Sequence, residues 1–103
     1  MVRAIREVQS FVSGMDLAAF AADAKTLKAV LANFAVIGEA ARHIPDDVAS
    51  KYVHVPWRDM CEMRNFVVHV CFGVEPSIVW NTIQRDLPFL ASELEKIIAE
   101  APA

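Results

Sequence analysis

The chain has 103 residues, a formal net charge of −3 at pH 7, 55% apolar residues and 22% charged residues. This length predicts a single domain over residues 1–103, because only much longer chains divide into several cores. The apolar fraction excludes a disordered chain and exceeds what a small monomer easily buries, which indicates a partner surface. The acidic balance excludes a broadly basic face for nucleic acid, so any contact with phosphate must be local.

Cysteine usage and hydropathy indicate a soluble cytoplasmic protein. Two cysteines, Cys61 and Cys71, are too few for a disulfide framework and lack the second ligand pair of a structural zinc site. Charges interrupt each apolar stretch before it reaches the roughly 18 residues of a membrane span. Arg3, Arg6 and Glu7 stand where a signal peptide has its apolar segment.

Apolar residues of the N-terminal half recur at intervals of three and four, the periodicity of helices packed on one face. The first helix ends near Gly14, since glycine readily adopts the left-handed conformation that terminates helices. Asp16 is placed to cap a short helix over residues 17–22. A long helix then ends near His43, before Pro45. Its apolar stripe consists of Leu27, Val30, Leu31, Phe34, Ile37 and Ala41.

Prolines punctuate the middle of the chain. Pro45 opens a brief helix that ends at about Lys51, and Pro56 opens another that extends to about Val70. The valine-rich run 66–70 could also form a strand. Helical periodicity precedes that run and no turn or partner strand follows it, so the helix is favoured.

The C-terminal part predicts one more helix and completes the fold class. A break is expected at residues 72–74, and Pro76 begins a helix that continues almost to the C-terminus. Pro88 is expected to kink this helix, because proline removes a backbone donor. The pattern predicts an all-α, up-and-down bundle of four to five helices.

Arg64 and His69 form the strongest candidate for chemistry. A histidine exchanges a proton near neutral pH and an arginine holds a phosphate with a two-pronged fork, which suffices in kind to cleave RNA without a metal. On an ideal helix the two residues lie roughly 140° apart around the axis and about 7.5 Å along it. They converge only if the helix ends near His69 or a second copy of the chain completes the site.

Several short blocks share the order and spacing of a known family. They are Ile37-Gly38-Glu39-Ala40-Ala41, Val55-Pro56-Trp57, Met63-Arg64-Asn65 with His69, Val79-Trp80 and Asp86-Leu87-Pro88. Arg64 and His69 reproduce the Arg-x-x-x-x-His signature of HEPN domains, and the blocks resemble the HepT-like branch over about residues 11 to 95. The lone pair is weak evidence, whereas the blocks together are specific.

The resemblance implies the toxin of a toxin–antitoxin pair, working as a metal-independent RNA endonuclease without a cofactor. A homodimer would set two Arg/His motifs across one cleft, and a nucleotidyltransferase antitoxin would neutralise the toxin by forming a complex with it. By the same resemblance, His69 would be the base on a ribose 2′-hydroxyl or the acid on the leaving oxygen. Arg64 would stabilise charge on phosphorus, and Asn65 would orient the phosphate or brace Arg64.

One position departs from the HepT pattern. Two residues after the histidine, that family has a tyrosine to which the partner enzyme attaches AMP, and here the position is Cys71. A thiol is not an established substitute for the phenol, so Cys71 is a weak candidate for the modified residue, and AMP transfer to this chain stays open. Tyr52, the only tyrosine, lies in a different segment.

Less specific interpretations remain open for the candidate residues. An arginine and a histidine near a helix end are often structural or simply solvated. The alternative function is a catalytically silent subunit that binds the nucleotidyltransferase and presents it with a substrate. Glu39 either pairs with Arg42 or Arg64 and positions Arg64, or it faces solvent.

The remaining aromatic and histidine residues indicate packing and surface positions. Trp57 and Trp80 could stack a base, but their helical spacing favours core or dimer packing. His43 and His54 have no carboxylate or cysteine at metal-ligand spacing, so they are expected at the surface, and no metal site is predicted.

Overall fold

The computed structural model describes residues 1–65 and 76–100, in which helices alternate with turns and no strand occurs. The predicted all-α fold class is confirmed. In chain order the helices are α1 (Val2–Phe11), α2 (Leu17–Ala22), α3 (Ala24–Arg42), α4 (Asp46–Lys51), α5 (Trp57–Glu62), α6 (Pro76–Asn81), a π-helical segment (Thr82–Asp86) and α7 (Leu87–Glu100). The break expected at 72–74 lies outside the described residues.

Short-range signals terminate and restart the N-terminal helices as predicted. Gly14 has a φ of 79°, the left-handed conformation that ends the turn after α1. The Oδ1 atom of Asp16 accepts a hydrogen bond from the backbone N–H of Ala19 at 2.8 Å and caps α2.

Asp23 caps the long helix α3, a role that the sequence analysis did not assign. Its Oδ1 accepts from the backbone N–H of Thr26 at 3.0 Å, and its Oδ2 accepts from the Thr26 hydroxyl at 2.7 Å. These bonds, the backbone bond above all, hold the pKa of Asp23 below its ordinary value. The start of α3 is therefore set by a charged cap.

α3 is the central element of the bundle. It packs against α1 on one side and α5 on the other, α2 contacts α3 and α6, and α1 also contacts α7. The predicted stripe faces the core from Val30 to Ala41, while Leu27 is only half-buried. Among the residues that the structure describes, the fully buried large side chains are Phe20, Phe34, Ile5, Ile37, Met60, Leu87, Val8, Val30 and Val79. Burying a large apolar side chain stabilises a fold by roughly 1.5–3 kcal/mol, which makes this layer the main source of stability.

The C-terminal helix contains a π-helical segment just before Pro88. Proline cannot donate to the carbonyl four residues earlier, and its ring crowds that carbonyl, which belongs to Gln84. Gln84 lies within the Thr82–Asp86 segment, where the wider turn relieves this conflict. Asn81 and Leu87 keep helical dihedral angles on either side, so the helix continues through the disruption.

None of the helices in residues 1–65 and 76–100 combines the length and apolar character needed to cross a membrane.

Candidate active site

Arg64 lies in a turn that ends α5 earlier than expected. The predicted helix to about Val70 is wrong in this part, because α5 ends at Glu62 and the next two residues form a turn. The N–H of Met63 donates to the carbonyl of Met60 at 3.1 Å, and the N–H of Arg64 donates to that of Cys61 at 3.5 Å. These bonds span three residues rather than four, so the chain tightens where Arg64 leaves the helix.

Gly38 of α3 provides the surface on which this turn rests. A Cβ atom built on Gly38 would lie 2.6 Å from Cγ of Arg64, 3.0 Å from its backbone nitrogen and 3.0 Å from the carbonyl oxygen of Cys61. Gly38 is buried, and its φ is not in the left-handed range. Close approach of the turn, rather than backbone conformation, therefore requires glycine here.

Glu39 pairs with the head of the same arginine. Its Oε2 atom lies 3.1 Å from Nη1 of Arg64, and the two side chains are 49% and 47% exposed, respectively. Arg42 Nη1 is 4.0 Å from the same oxygen, and His43 Nδ1 is 3.7 Å from Oε1. The expected contact between Glu39 and Arg64 is present, and both groups are accessible to solvent.

The other predicted site residues fall partly outside the described chain. Asn65 follows Arg64 directly in the chain and is exposed. His69 and Cys71 lie outside the described residues. The convergence of His69 with Arg64 therefore stays a prediction, while Arg64 and Asn65 are placed at the surface.

The two tryptophans pack against the core. The rings of Trp80 and Phe20 have centroids 5.3 Å apart at an interplanar angle of 41°. Trp57 is half-buried, and its indole N–H donates to the carbonyl of Tyr52 at 3.1 Å. Both observations agree with the packing interpretation.

His43 and His54 are surface residues, as expected. The ring of His54 holds a carboxylate of α7, with its Nε2 atom 2.8 Å from Oε2 of Glu93. Lys96 Nζ is 3.3 Å from Oε1 of Glu93. Burial raises the pKa of Glu93, but the hydrogen bonds from Lys96 and His54 outweigh it and keep that pKa below its ordinary value. This cluster joins the connector before α5 to the C-terminal helix.

A cavity of about 410 Å³ lies between α5 and the C-terminal helices. Its charged lining contains the carboxylates of Asp59, Glu62 and Asp86 against the single cation of Arg85. Such a lining repels phosphate. Within residues 1–65 and 76–100, no group of three or more histidine, cysteine or acidic residues is placed to hold a metal ion. The Glu39–Arg64 surface is thus better suited to a polyanion than this cavity.

Gly38 has no predicted role of its own, since it stands only as part of the block Ile37-Gly38-Glu39-Ala40-Ala41. The available signal was a glycine in the interior of a long amphipathic helix, next to the apolar stripe, where alanine would be the better helix former. Its partner could not be inferred, because the contact joins α3 to a turn far away in the chain.

The helices define a small all-α protein, and comparison with known proteins identifies the family. Residues 1–97 match the family described as Ribonuclease HepT-like. The chain belongs to this family, as its motif blocks indicated.

Relatives from archaea extend the comparison. The chain is 34% identical over 97 residues to a protein of Thermococcus cleftensis named "Probable ribonuclease HepT", covering 94% of this chain and 88% of the relative. It is 34% identical over 96 residues to a protein of Methanocaldococcus jannaschii named "Putative RNase MJ0127", covering 93% of this chain and 79% of the relative. A second such M. jannaschii protein is 35% identical over 94 residues, covering 91% and 81%. No solved structure matches the chain.

Proposed function

We propose that the chain is a metal-independent RNA endonuclease and the toxin of a toxin–antitoxin pair, with Arg64, Asn65 and His69 as its catalytic residues. Membership of a ribonuclease family supports cleavage of RNA. The observation that carries the assignment to this site is the exposure of Arg64 at the end of α5, supported from below by Gly38 and paired with Glu39.

The chemistry needs a base, an acid and a cation. The ribose 2′ oxygen attacks the adjacent phosphorus while its proton passes to a base, the bond from phosphorus to the 5′ oxygen breaks, and that oxygen gains a proton. The products are a 2′,3′-cyclic phosphate and a 5′-hydroxyl. His69 performs one of the two proton transfers, as the base on the 2′-hydroxyl or as the acid on the 5′ oxygen, and the other proton is exchanged with solvent. Arg64 stabilises the charge that develops on the phosphoryl oxygens.

The Arg64 side chain is half-exposed, so its guanidinium is accessible to a substrate as large as RNA. The guanidinium offers five N–H donors in a planar fork, and the ion pair with Glu39 leaves most of them available. RNA phosphates could therefore approach this surface, although the chain as a whole is acidic.

The proposal includes a homodimer of this chain and its complex with an antitoxin. A homodimer places two Arg/His motifs across one cleft, and a nucleotidyltransferase antitoxin covers the site. Large apolar side chains exposed in the described residues are available for such contacts, and these are Phe11, Leu17, Val36, Val53, Ile78, Phe89 and Ile98.

The test is RNA cleavage by the purified chain in excess EDTA, with wild type beside His69→Ala. The proposal predicts cleavage by wild type, 5′-hydroxyl product ends, and loss of cleavage in the variant. Equal inactivity of both proteins would favour the catalytically silent subunit instead. Activity that EDTA abolishes would contradict the metal-independent mechanism.

A further inference from the structure

We propose that Gly38 and Glu39, adjacent residues of α3, position Arg64 for phosphate. Gly38 fixes the stem of the arginine and Glu39 restrains its guanidinium. This inference deepens the proposed function and rests on it for its catalytic consequence. Neither residue touches the substrate in this scheme, so both are positioning residues.

The stem of Arg64, its aliphatic part, packs directly against Gly38, and this contact is possible because glycine has no side chain. The nearest approach to a Cβ on Gly38 is made by Cγ of Arg64, in the middle of the side chain, and not by its flexible end. The other two close atoms, the Arg64 nitrogen and the Cys61 oxygen, belong to the backbone of the turn. Any side chain on Gly38 must therefore move the turn, the stem, or both.

Glu39 acts on the other end of the same side chain. Arg64 has four rotatable side-chain bonds, and a free guanidinium would sample a wide volume of solvent. The carboxylate of Glu39, 3.1 Å from Nη1, restricts that volume, and it is the arginine's only ion-pair partner among residues 1–65 and 76–100. Exposed ion pairs contribute little to stability, so orientation is the more substantial effect of this contact.

The charge of Glu39 gives this role a distinctive signature. A carboxylate beside the guanidinium repels RNA phosphate and weakens binding in the ground state, while it orients the arginine for the transition state. Removing it should slow the chemical step without weakening RNA binding. A residue that only supports the fold would not separate the two quantities in this way.

The experiment measures single-turnover cleavage and RNA affinity of the full chain, using wild type, Gly38→Ala, Glu39→Ala and Glu39→Gln. We expect the cleavage rate constant to fall about 10- to 100-fold in Gly38→Ala and Glu39→Ala, because small displacements of a positioned group have effects of this order. RNA should bind to Glu39→Ala at least as tightly as to wild type. Glutamine retains an oxygen acceptor, so Glu39→Gln should recover part of the rate.

Glu95→Ala is the matched control, because Glu95 also forms an exposed ion pair with an arginine. The side chain of Glu95 is 47% exposed and that of its partner Arg6 is 52% exposed. The Glu95→Ala variant should cleave at the wild-type rate. Unchanged rates in folded Gly38→Ala and Glu39→Ala would overturn the positioning role, while loss of activity in Arg64→Ala would still support the proposed function.

A second measurement keeps the inference testable if the wild type does not cleave RNA. The ¹⁵N order parameter of the Arg64 side chain should fall in Glu39→Ala relative to wild type, while that of Arg58, an exposed arginine of α5, stays the same. An unchanged Arg64 order parameter would overturn the restraint by Glu39, whatever the activity.

Discussion

Nη1 of Arg64 lies 3.1 Å from Oε2 of Glu39, and this ion pair joins the turn after α5 to α3. The residue before Glu39 is the glycine against which the same arginine's stem packs. One helical segment therefore contacts Arg64 at its backbone, its stem and its head. The candidate catalytic group is exposed but supported along its whole length.

Replacing Gly38 by alanine should destabilise the fold, although alanine in a helix interior is favoured over glycine by about 1 kcal/mol. The added methyl overlaps the stem and backbone of Arg64, and overpacking of this kind typically costs about 1–3 kcal/mol. The net expectation is a loss of about 0–2 kcal/mol in the free energy of unfolding, measured by urea denaturation. A gain of about 1 kcal/mol would show that the turn is not held against α3.

Phe20→Ala should remove about 3–5 kcal/mol of stability, because the Phe20 side chain of α2 is fully buried and packs against Trp80 of α6. Phe20→Leu should cost much less, since leucine retains most of the apolar volume. Urea denaturation gives the free energies. The environment of Trp80, whose ring contacts that of Phe20, should change in near-ultraviolet circular dichroism. Equal stability of all three proteins would contradict the observed packing of α2.

The Asp23 cap should make part of the stability dependent on pH. The folded pKa of Asp23 lies below its ordinary value of 3.8. Its contribution is therefore complete above that value and is lost as the pH falls through the lower folded pKa. Asp23→Ala should lower the midpoint of thermal unfolding at pH 7 by roughly 4–8 °C, the change expected for loss of one cap in a domain of this size.

Asp23→Asn is the control for the pH effect, because asparagine caps a helix without a titrating charge. The advantage of wild type over this variant should shrink between pH 5 and pH 2. An advantage that stays constant or grows on acidification would contradict the charged cap.

Incubation with ATP and the proposed nucleotidyltransferase antitoxin should leave the intact mass of the chain unchanged. By the resemblance to HepT proteins, the expected AMP-acceptor position holds Cys71 in place of a tyrosine. The hydroxyl of Tyr52 is engaged, since it donates to Oε2 of Glu100 at 3.2 Å. Mass spectrometry of the complex is the measurement. A rise by AMP increments would contradict the expectation, and Cys71→Ser and Tyr52→Phe would then locate the acceptor.

The sequence predicts well the helices whose ends are set by residues close in the chain, such as a capping residue, a glycine or a proline. Gly14, Asp16 and Pro45 each act within one turn of their own position, so the bounds of α1 to α4 follow closely from the residues. The stripe of α3 faces the core because burial follows the helical period over many residues. The predicted end of α5 is wrong, because apolar periodicity in the sequence continues past Glu62, whereas the chain turns at residues 63–64 and packs against Gly38 of α3.

The sequence predicts some residues of the candidate site and not others, again because local signals are visible in the sequence and tertiary contacts are not. Arg64 was found because its chemistry and spacing are visible in the sequence, and Glu39 because its place beside the stripe demanded a partner. The contact of Gly38 with Arg64 is tertiary, so residue types and periodicity could not show it. The relationship of Arg64 to His69 stays a prediction.

The most direct test of the account is the single-turnover cleavage rate of Arg64→Ala compared with that of Arg58→Ala, in excess EDTA. Arg58 is an exposed arginine within α5, six residues before Arg64, and it has the same charge. We expect Arg64→Ala to lose on the order of 100-fold or more in cleavage rate, while Arg58→Ala stays within about twofold of wild type. Equal rates in the two variants would contradict the catalytic role of Arg64.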